Sequence, residues 1–155
     1  MRYTAIALLV VGLCLAGCGS QEEEPAAGGE DLYTQTAEQG ELTWYIDDFD
    51  AASDASLEQG KPLLIDLYAD WCGPCHTLGE DYFVRDEMKP VLSNYVLLRM
   101  DIDLPGGEEL ATRYGVRAIP TVVIAEADGT EIGRIVGVTP TVGEYINKLE
   151  EIGLE

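Results

Sequence analysis

Leu63-Leu64-Ile65-Asp66-Leu67-Tyr68-Ala69 runs directly into Asp70-Trp71-Cys72-Gly73-Pro74-Cys75, and this junction decides the fold. Its first seven residues form an almost continuous apolar run of strand length, which predicts a central parallel strand covered on both faces. One carboxylate, Asp66, interrupts the run. The residues from Trp71 onward predict the start of a helix with both sulfurs in its first turn, on the same side, so that they bridge without backbone movement. Helix-start amides and the macrodipole favour a thiolate at Cys72, and Pro74 falls where its missing N–H costs nothing. Cys72 is therefore the expected attacking sulfur. Cys75, one turn inward and more buried, is expected to resolve the mixed disulfide.

On either side of the junction, strand-like and helix-like segments alternate. A short strand at 43–45 leads to a helix opened by Asp47 or Asp48, with Phe49, Ala52, Ser53, Ser56 and Leu57 inward and a stop at Gly60. The helical region from Gly73 breaks near Arg85-Asp86 and resumes through Met88, Val91 and Leu92, and residues 95–100 read as another strand. Residues 108–114 predict a short helix capped by a left-handed Gly115. Strands at 121–125 and 130–136 are joined through Asp128-Gly129, a strong hairpin signal. In the last helix Thr141 and Glu144 stand at capping-box spacing, and Val142, Tyr145, Ile146, Leu149 and Ile152 share one face. The order βαβαβαββα favours an α/β fold whose mixed sheet is parallel at its centre, carries an antiparallel hairpin at one side, and is flanked by helices on both faces.

The N-terminus reads as an export signal. Arg2 precedes the apolar stretch 5–17, too short to cross a bilayer as a helix but suited to the core of a secretory signal. Leu15-Ala16-Gly17-Cys18 resembles the lipobox of bacterial lipoproteins, which implies cleavage before Cys18 and lipidation of its sulfur. Multiple acyl chains exceed the two-signal requirement for stable anchoring. Residues 18–40, rich in Gly, Ser, Gln, Glu and Ala, read as a flexible acidic tether holding the domain about 25 Å from the membrane. The expected layout is a signal at 1–17, the lipidated Cys and tether at 18–40, and one domain at 41–155. Cys14 then leaves with the signal and Cys18 is blocked, so only Cys72 and Cys75 remain as thiols. A lone close pair suggests a redox centre more than a structural framework, because closing so short a loop restricts the unfolded chain little.

The chain has 155 residues, 46% hydrophobic and 25% charged, enough for one compact domain plus extensions. Asp and Glu number 29 against 9 Lys and Arg, a formal charge of -20 that repels phosphate backbones and anionic lipid. Nucleic acid is excluded as a partner. Zinc is disfavoured, because Cys72 and Cys75 find only His76 as a third ligand and a structural site needs about four. No metal or other cofactor is called for.

Trp71-Cys72-Gly73-Pro74-Cys75 resembles the active site of the thioredoxin family, and the resemblance extends over residues 63–149. Residues 64–70 resemble the strand before that site, and 114–121, ending Ala118-Ile119-Pro120-Thr121, resemble the segment carrying the family's cis-proline. Tyr68-Ala69-Asp70-Trp71-Cys72, the break through 82–86 and the secretory signal further resemble the C-terminal domain of DsbD and related exported reductases.

The resemblance implies a thioredoxin fold and assigns roles. Asp66 matches the buried aspartate that takes and returns a proton for the inner cysteine, and burial raises a carboxyl toward the range where such exchange is feasible. Arg99 stands where the family has a lysine, and an always-charged arginine there is expected to favour ionised Asp66 and alter the relay. Ile119 and a cis Pro120 face the cysteines, pair with an extended substrate segment and prevent adventitious metal capture. Gly137 admits a close substrate chain, while Trp71, Gly73 and Pro74 shape the contact surface. His76, where thioredoxins often have lysine, reads as a surface helical residue able to modulate the thiolate through its own charge.

Gly73-Pro74 resembles the reducing members, whose reference potential of about -270 mV lies about 150 mV below the strong oxidant DsbA, or about 7 kcal/mol for two electrons. The leading expectation is a membrane-tethered, extracytoplasmic reductase of protein disulfides, apocytochrome c among them. An exported reductant needs electrons, which implies a membrane donor of the DsbD or CcdA type. Two alternatives stand: an oxidase or isomerase using the same cysteines, and a non-catalytic thioredoxin-fold binding module.

Overall fold

The computed structural model describes residues 35–39 and 42–153. The expected signal at 1–17 and lipidation site Cys18 lie outside the described residues. Six strands form one sheet in the order β1-β2-β4-β3-β5-β6. These are β1 Gln35–Gln39, β2 Leu42–Ile46, β3 Leu63–Tyr68, β4 Val96–Asp101, β5 Thr121–Ala125 and β6 Glu131–Val136. β2 and β3 run parallel to β4, whereas β1 on β2, β5 on β3 and β6 on β5 are antiparallel. The sheet is thus mixed, with its parallel part at the centre and the hairpin at one edge. Strand β1 has no counterpart in the sequence reading: its five residues lie within the segment expected to be tether, where polar composition carries no apolar period.

Strand β3 sits between β4 and β5, and Leu63, Leu64, Ile65, Asp66 and Leu67 are all 0% exposed. Side-chain alternation divides them between two cores. Leu63, Ile65 and Leu67 pack beneath helices α1 Phe49–Gln59 and α4 Pro105–Arg113, with Ala52, Ala55, Leu110 and Tyr114. Leu64 faces the other core, filled by Trp44, Leu78, Tyr82, Phe83, Leu92, Tyr145 and Leu149. That core lies under helix α2 Gly73–His76, a π-helical turn at Thr77–Tyr82, helix α3 Lys89–Leu92 and helix α5 Val142–Gly153. Asp66, two residues after Leu64, projects toward this second core.

Local chemistry sets the ends of several elements. Asp48 caps α1 by accepting from the Ala51 amide at 2.9 Å, and Gly60 closes it in the left-handed region at φ 62°. The inward face of α1 is Ala52, Ala55 and Ser56, while Leu57, expected inside, is 70% exposed. Small residues let the helix approach the sheet, and Ser56 Oγ donates to the Lys61 carbonyl. Helix α4 starts earlier than the expected 108–114, because Pro105 occupies its first turn, a position it favours. The Gly106-Gly107 pair, ahead of the expected helix start, lets α4 lie against β4: a Cβ on Gly107 would sit 1.9 Å from the Asp101 carbonyl oxygen. The Glu144 amide donates to Thr141 Oγ1 at 3.2 Å, as the capping spacing predicts. Among the described residues no helix is long and apolar enough to cross a membrane.

Candidate active site

The chain leaves β3 at Tyr68 and turns through Ala69, whose carbonyl accepts from the Cys72 amide at 3.1 Å. Cys72 is the N-cap of α2, in extended conformation, and Pro74 lies in the helix's first turn. Cys72 and Cys75 are joined by a disulfide with Cα atoms 5.2 Å apart, inside the range that a bridge requires. The Cys75 amide donates to Cys72 Sγ at 3.2 Å. This helix-start N–H is shared with the Cys72 carbonyl at 3.1 Å, and it supports negative charge on the outer sulfur once the bridge opens. Cys72 is 5% exposed and Cys75 1%, so Cys72 is the sulfur nearer to solvent.

Of the other expected site residues, Ile119 packs against the cysteines, while Asp66 lies within β3, two residues before the strand ends at Tyr68. Ala69, Cys72 and Cys75 form one buried cluster, against which Tyr68, Ile102 and Ile119 pack. The Ile119-Pro120 bond is cis, as expected. Gly137, at φ 77°, donates its amide to the Pro120 carbonyl at 2.8 Å, and no atom lies within 4 Å of where its Cβ would be. Its left-handed backbone and the open space beside it are both served by glycine. Trp71 is 69% exposed and donates Nε1–H to Asp103 Oδ2 at 2.7 Å. Among the described residues no three His, Cys, Asp or Glu side chains are grouped to hold a metal ion.

A family model described as thioredoxin-like matches residues 43–127. The chain belongs to the thioredoxin-like family. It is 35% identical over 96 residues to the thiol:disulfide interchange protein DsbD of Cronobacter sakazakii, covering 59% of this chain and 16% of the relative. It thus spans about a sixth of that relative's length. It is 30% identical over 102 residues to a thioredoxin of Mycoplasmoides gallisepticum, covering 66% of this chain and 91% of that one. Among solved structures, a putative disulphide-isomerase from Bacteroides thetaiotaomicron superposes with a TM-score of 0.64 at 27% identity, over 76% of this chain and 97% of the other. The matched region of this thioredoxin-like chain contains the Cys72–Cys75 disulfide.

Within β3 of this thioredoxin-like domain, two opposing effects on Asp66 meet. Full burial penalises its charged form, while Arg99, whose Nε donates to Asp66 Oδ2 at 3.0 Å, favours it. Burial wins, and the carboxyl is pushed up to about 6. Arg99 acts in the expected direction, favouring the ionised form, and limits the rise without reversing it. The guanidinium carbon lies 4.1 Å from the centre of the Tyr68 ring, and Tyr68 in turn touches the cysteine cluster. A Cβ on Gly79 would lie 3.1 Å from one guanidinium nitrogen, so the glycine makes room for arginine.

Sequence reasoning missed three of these contacts: the Trp71–Asp103 bond, the Tyr68–Arg99 stack and the space supplied by Gly79. None has a local signature, since each joins separate elements. A fourth, His76 with Glu80, was available as an i,i+4 pair.

Proposed function

We propose that this protein is a membrane-tethered, extracytoplasmic reductase of protein disulfides. The observation that carries the reading is the position of the sulfurs: Cys72 at the helix mouth accepting the Cys75 amide, with Cys75 behind it. In the reduced form the Cys72 thiolate attacks a substrate disulfide, forming a mixed disulfide and expelling one substrate thiolate, which takes a proton. Cys75 gives its proton to the Asp66 carboxylate and attacks Cys72 Sγ, which closes the Cys72–Cys75 bond and expels the second substrate sulfur as a thiolate that takes a proton from solvent. Two electrons have passed to the substrate. Ile119, Pro120 and Gly137 present backbone to an extended substrate segment, and Trp71, Gly73 and Pro74 border it.

The dithiol is restored by a membrane donor of the DsbD or CcdA type. Likeness to DsbD and the secretory and lipobox-like residues 5–18 support this location, and Cys18 is the proposed anchor. Substrates are exported proteins carrying disulfides, including apocytochrome c.

Equilibrating the Cys72/Cys75 couple against dithiol buffers of known potential tests the direction. A reductase requires a value of about -270 mV, and one of about -120 mV would make the protein an oxidant instead. A Cys75→Ser variant is expected to trap covalent adducts with substrate proteins, and their absence would favour the non-catalytic binding module.

A further inference from the structure

His76 is the one histidine in the chain, and both of its ring nitrogens are engaged. Nε2 lies 2.8 Å from the Asp70 carbonyl oxygen, and Nδ1 lies 2.8 Å from Glu80 Oε1. A carbonyl and a carboxylate only accept hydrogen bonds, so each nitrogen must donate, and only the imidazolium carries two N–H groups. The two contacts together favour the cationic ring, although it is exposed. Its spacing places it in a file: Cys72, His76 and Glu80 are each four residues apart, and the His76 amide donates to the Cys72 carbonyl at 3.2 Å. Through Asp70 the ring also ties the loop that delivers Trp71 and Cys72 to the helix that carries Cys75.

We propose that the His76 imidazolium is a positioning residue for the redox pair, holding the Asp70–Cys72 loop and stabilising the Cys72 thiolate that appears on reduction. The inference rests on the reading that Cys72 cycles between disulfide and thiolate. The carboxylates acting on the ring are Glu80, from the π-helical turn, and Asp70, from the loop after β3, and both favour the cation. Bonding to the Asp70 carbonyl and then to Glu80 raises the imidazole above its ordinary value. In the oxidised protein the sulfurs carry no charge. In the reduced protein a thiolate stands in the same file, and linkage is reciprocal: whatever His76 does for the thiolate, the thiolate does for the protonation of His76. Loss of the imidazolium at alkaline pH releases the Asp70 contact or the Glu80 contact, and with it the thiolate's nearest cation in the file.

The test uses the full chain, whose single histidine gives one imidazole signal. Proton NMR titration of His76 in the oxidised and reduced forms is expected to show a higher pKa in the reduced form, while in a Cys72→Ser variant reductant leaves it unchanged. Equal His76 pKa values in the two native forms would overturn the proposal. Thiolate absorbance provides a second readout: His76→Gln is expected to lower the acid dissociation constant of the Cys72 thiol about two- to fivefold, the range for a charge at a helix end. A chain whose cysteines fail to cycle would sink the underlying reading, whereas a cycling chain with an indifferent His76 would sink this inference alone.

Discussion

Arg99 Nε donates to Asp66 Oδ2 at 3.0 Å, while Asp66 Oδ1, equally buried, has no hydrogen-bond partner in the core. A carboxylate removed from water needs several donors to offset its lost hydration, and one leaves the balance on the side of the neutral acid. The carboxyl consequently titrates at about 6, inside the range where it exchanges a proton with a thiol. The other orphaned polar atoms among the described residues, Trp44 Nε1 and Tyr145 Oη, belong to side chains of the core that Asp66 faces. Asp66 charge also pushes the Tyr145 phenol higher, after burial itself.

Replacing Asp66 by Asn is expected to stabilise the fold in a pH-dependent way. A carboxyl raised from 3.8 to about 6 binds a proton in the native state that the unfolded chain has lost between those values. The contribution of Asp66 to stability is therefore greatest below 3.8, falls as pH rises toward 6, and is level above. The shift corresponds to about 3 kcal/mol. Asn does not titrate, so the variant should exceed the native protein by up to about 3 kcal/mol at pH 7 and converge with it below about pH 4. Urea unfolding at the two pH values checks this, and a gain independent of pH would refute it. Closure of the Cys72–Cys75 bond should slow by about 100-fold in the same variant.

Arg99→Met keeps much of the stem and removes the cation. The Asp66 carboxyl then loses its one donor and its nearest positive charge, and should titrate above 6. The pH at which stability stops falling moves upward with it. Gly79→Ala should act in the same direction by a smaller amount, since the new Cβ presses on the guanidinium from 3.1 Å. The carboxyl carbon shift of Asp66, followed by NMR across pH 4–9, reads both variants. An unchanged or lowered midpoint in Arg99→Met would show that the arginine does not act on the carboxyl.

Much of this arrangement was legible before any coordinates. The run 63–69 identified the central strand because a strand covered on both faces has no polar side to reveal, and Asp66 stood out for the same reason. Helix-start chemistry placed Cys72 and Cys75, and the Ala118-Ile119-Pro120-Thr121 resemblance placed the cis bond. Other features were hidden because they depend on contacts between distant segments. Strand β1 has a polar sequence that carries no apolar signature, and it pairs with β2 through the backbone ladder. Gly106 and Gly107 fell ahead of the expected helix at 108–114, since their value lies in how closely α4 approaches β4. Leu57 looked inward from its apolarity, but the small Ala52, Ala55 and Ser56 set the face of α1 that contacts the sheet. The net pKa of Asp66 needed both its burial and the single bond from Arg99, two quantities that pull in opposite directions.

Trp71→Ala separates fold from function. With 69% of the indole in solvent, truncation forfeits little apolar burial, and the bond to Asp103 is exposed. The expected loss of stability is within about 1 kcal/mol. The indole nonetheless adjoins Cys72, where a protein substrate must bring its disulfide. A large, rigid aromatic surface contributes disproportionately to such contacts, and losing about 1.4 kcal/mol of transition-state binding lowers kcat/KM about tenfold. A small aromatic disulfide makes no extended contact and should be reduced at nearly the native rate. Parallel assays with reduced protein, one on a folded protein disulfide and one on the small disulfide, distinguish the cases. Should both rates fall together, the indole acts on the sulfurs themselves and not on the visiting chain.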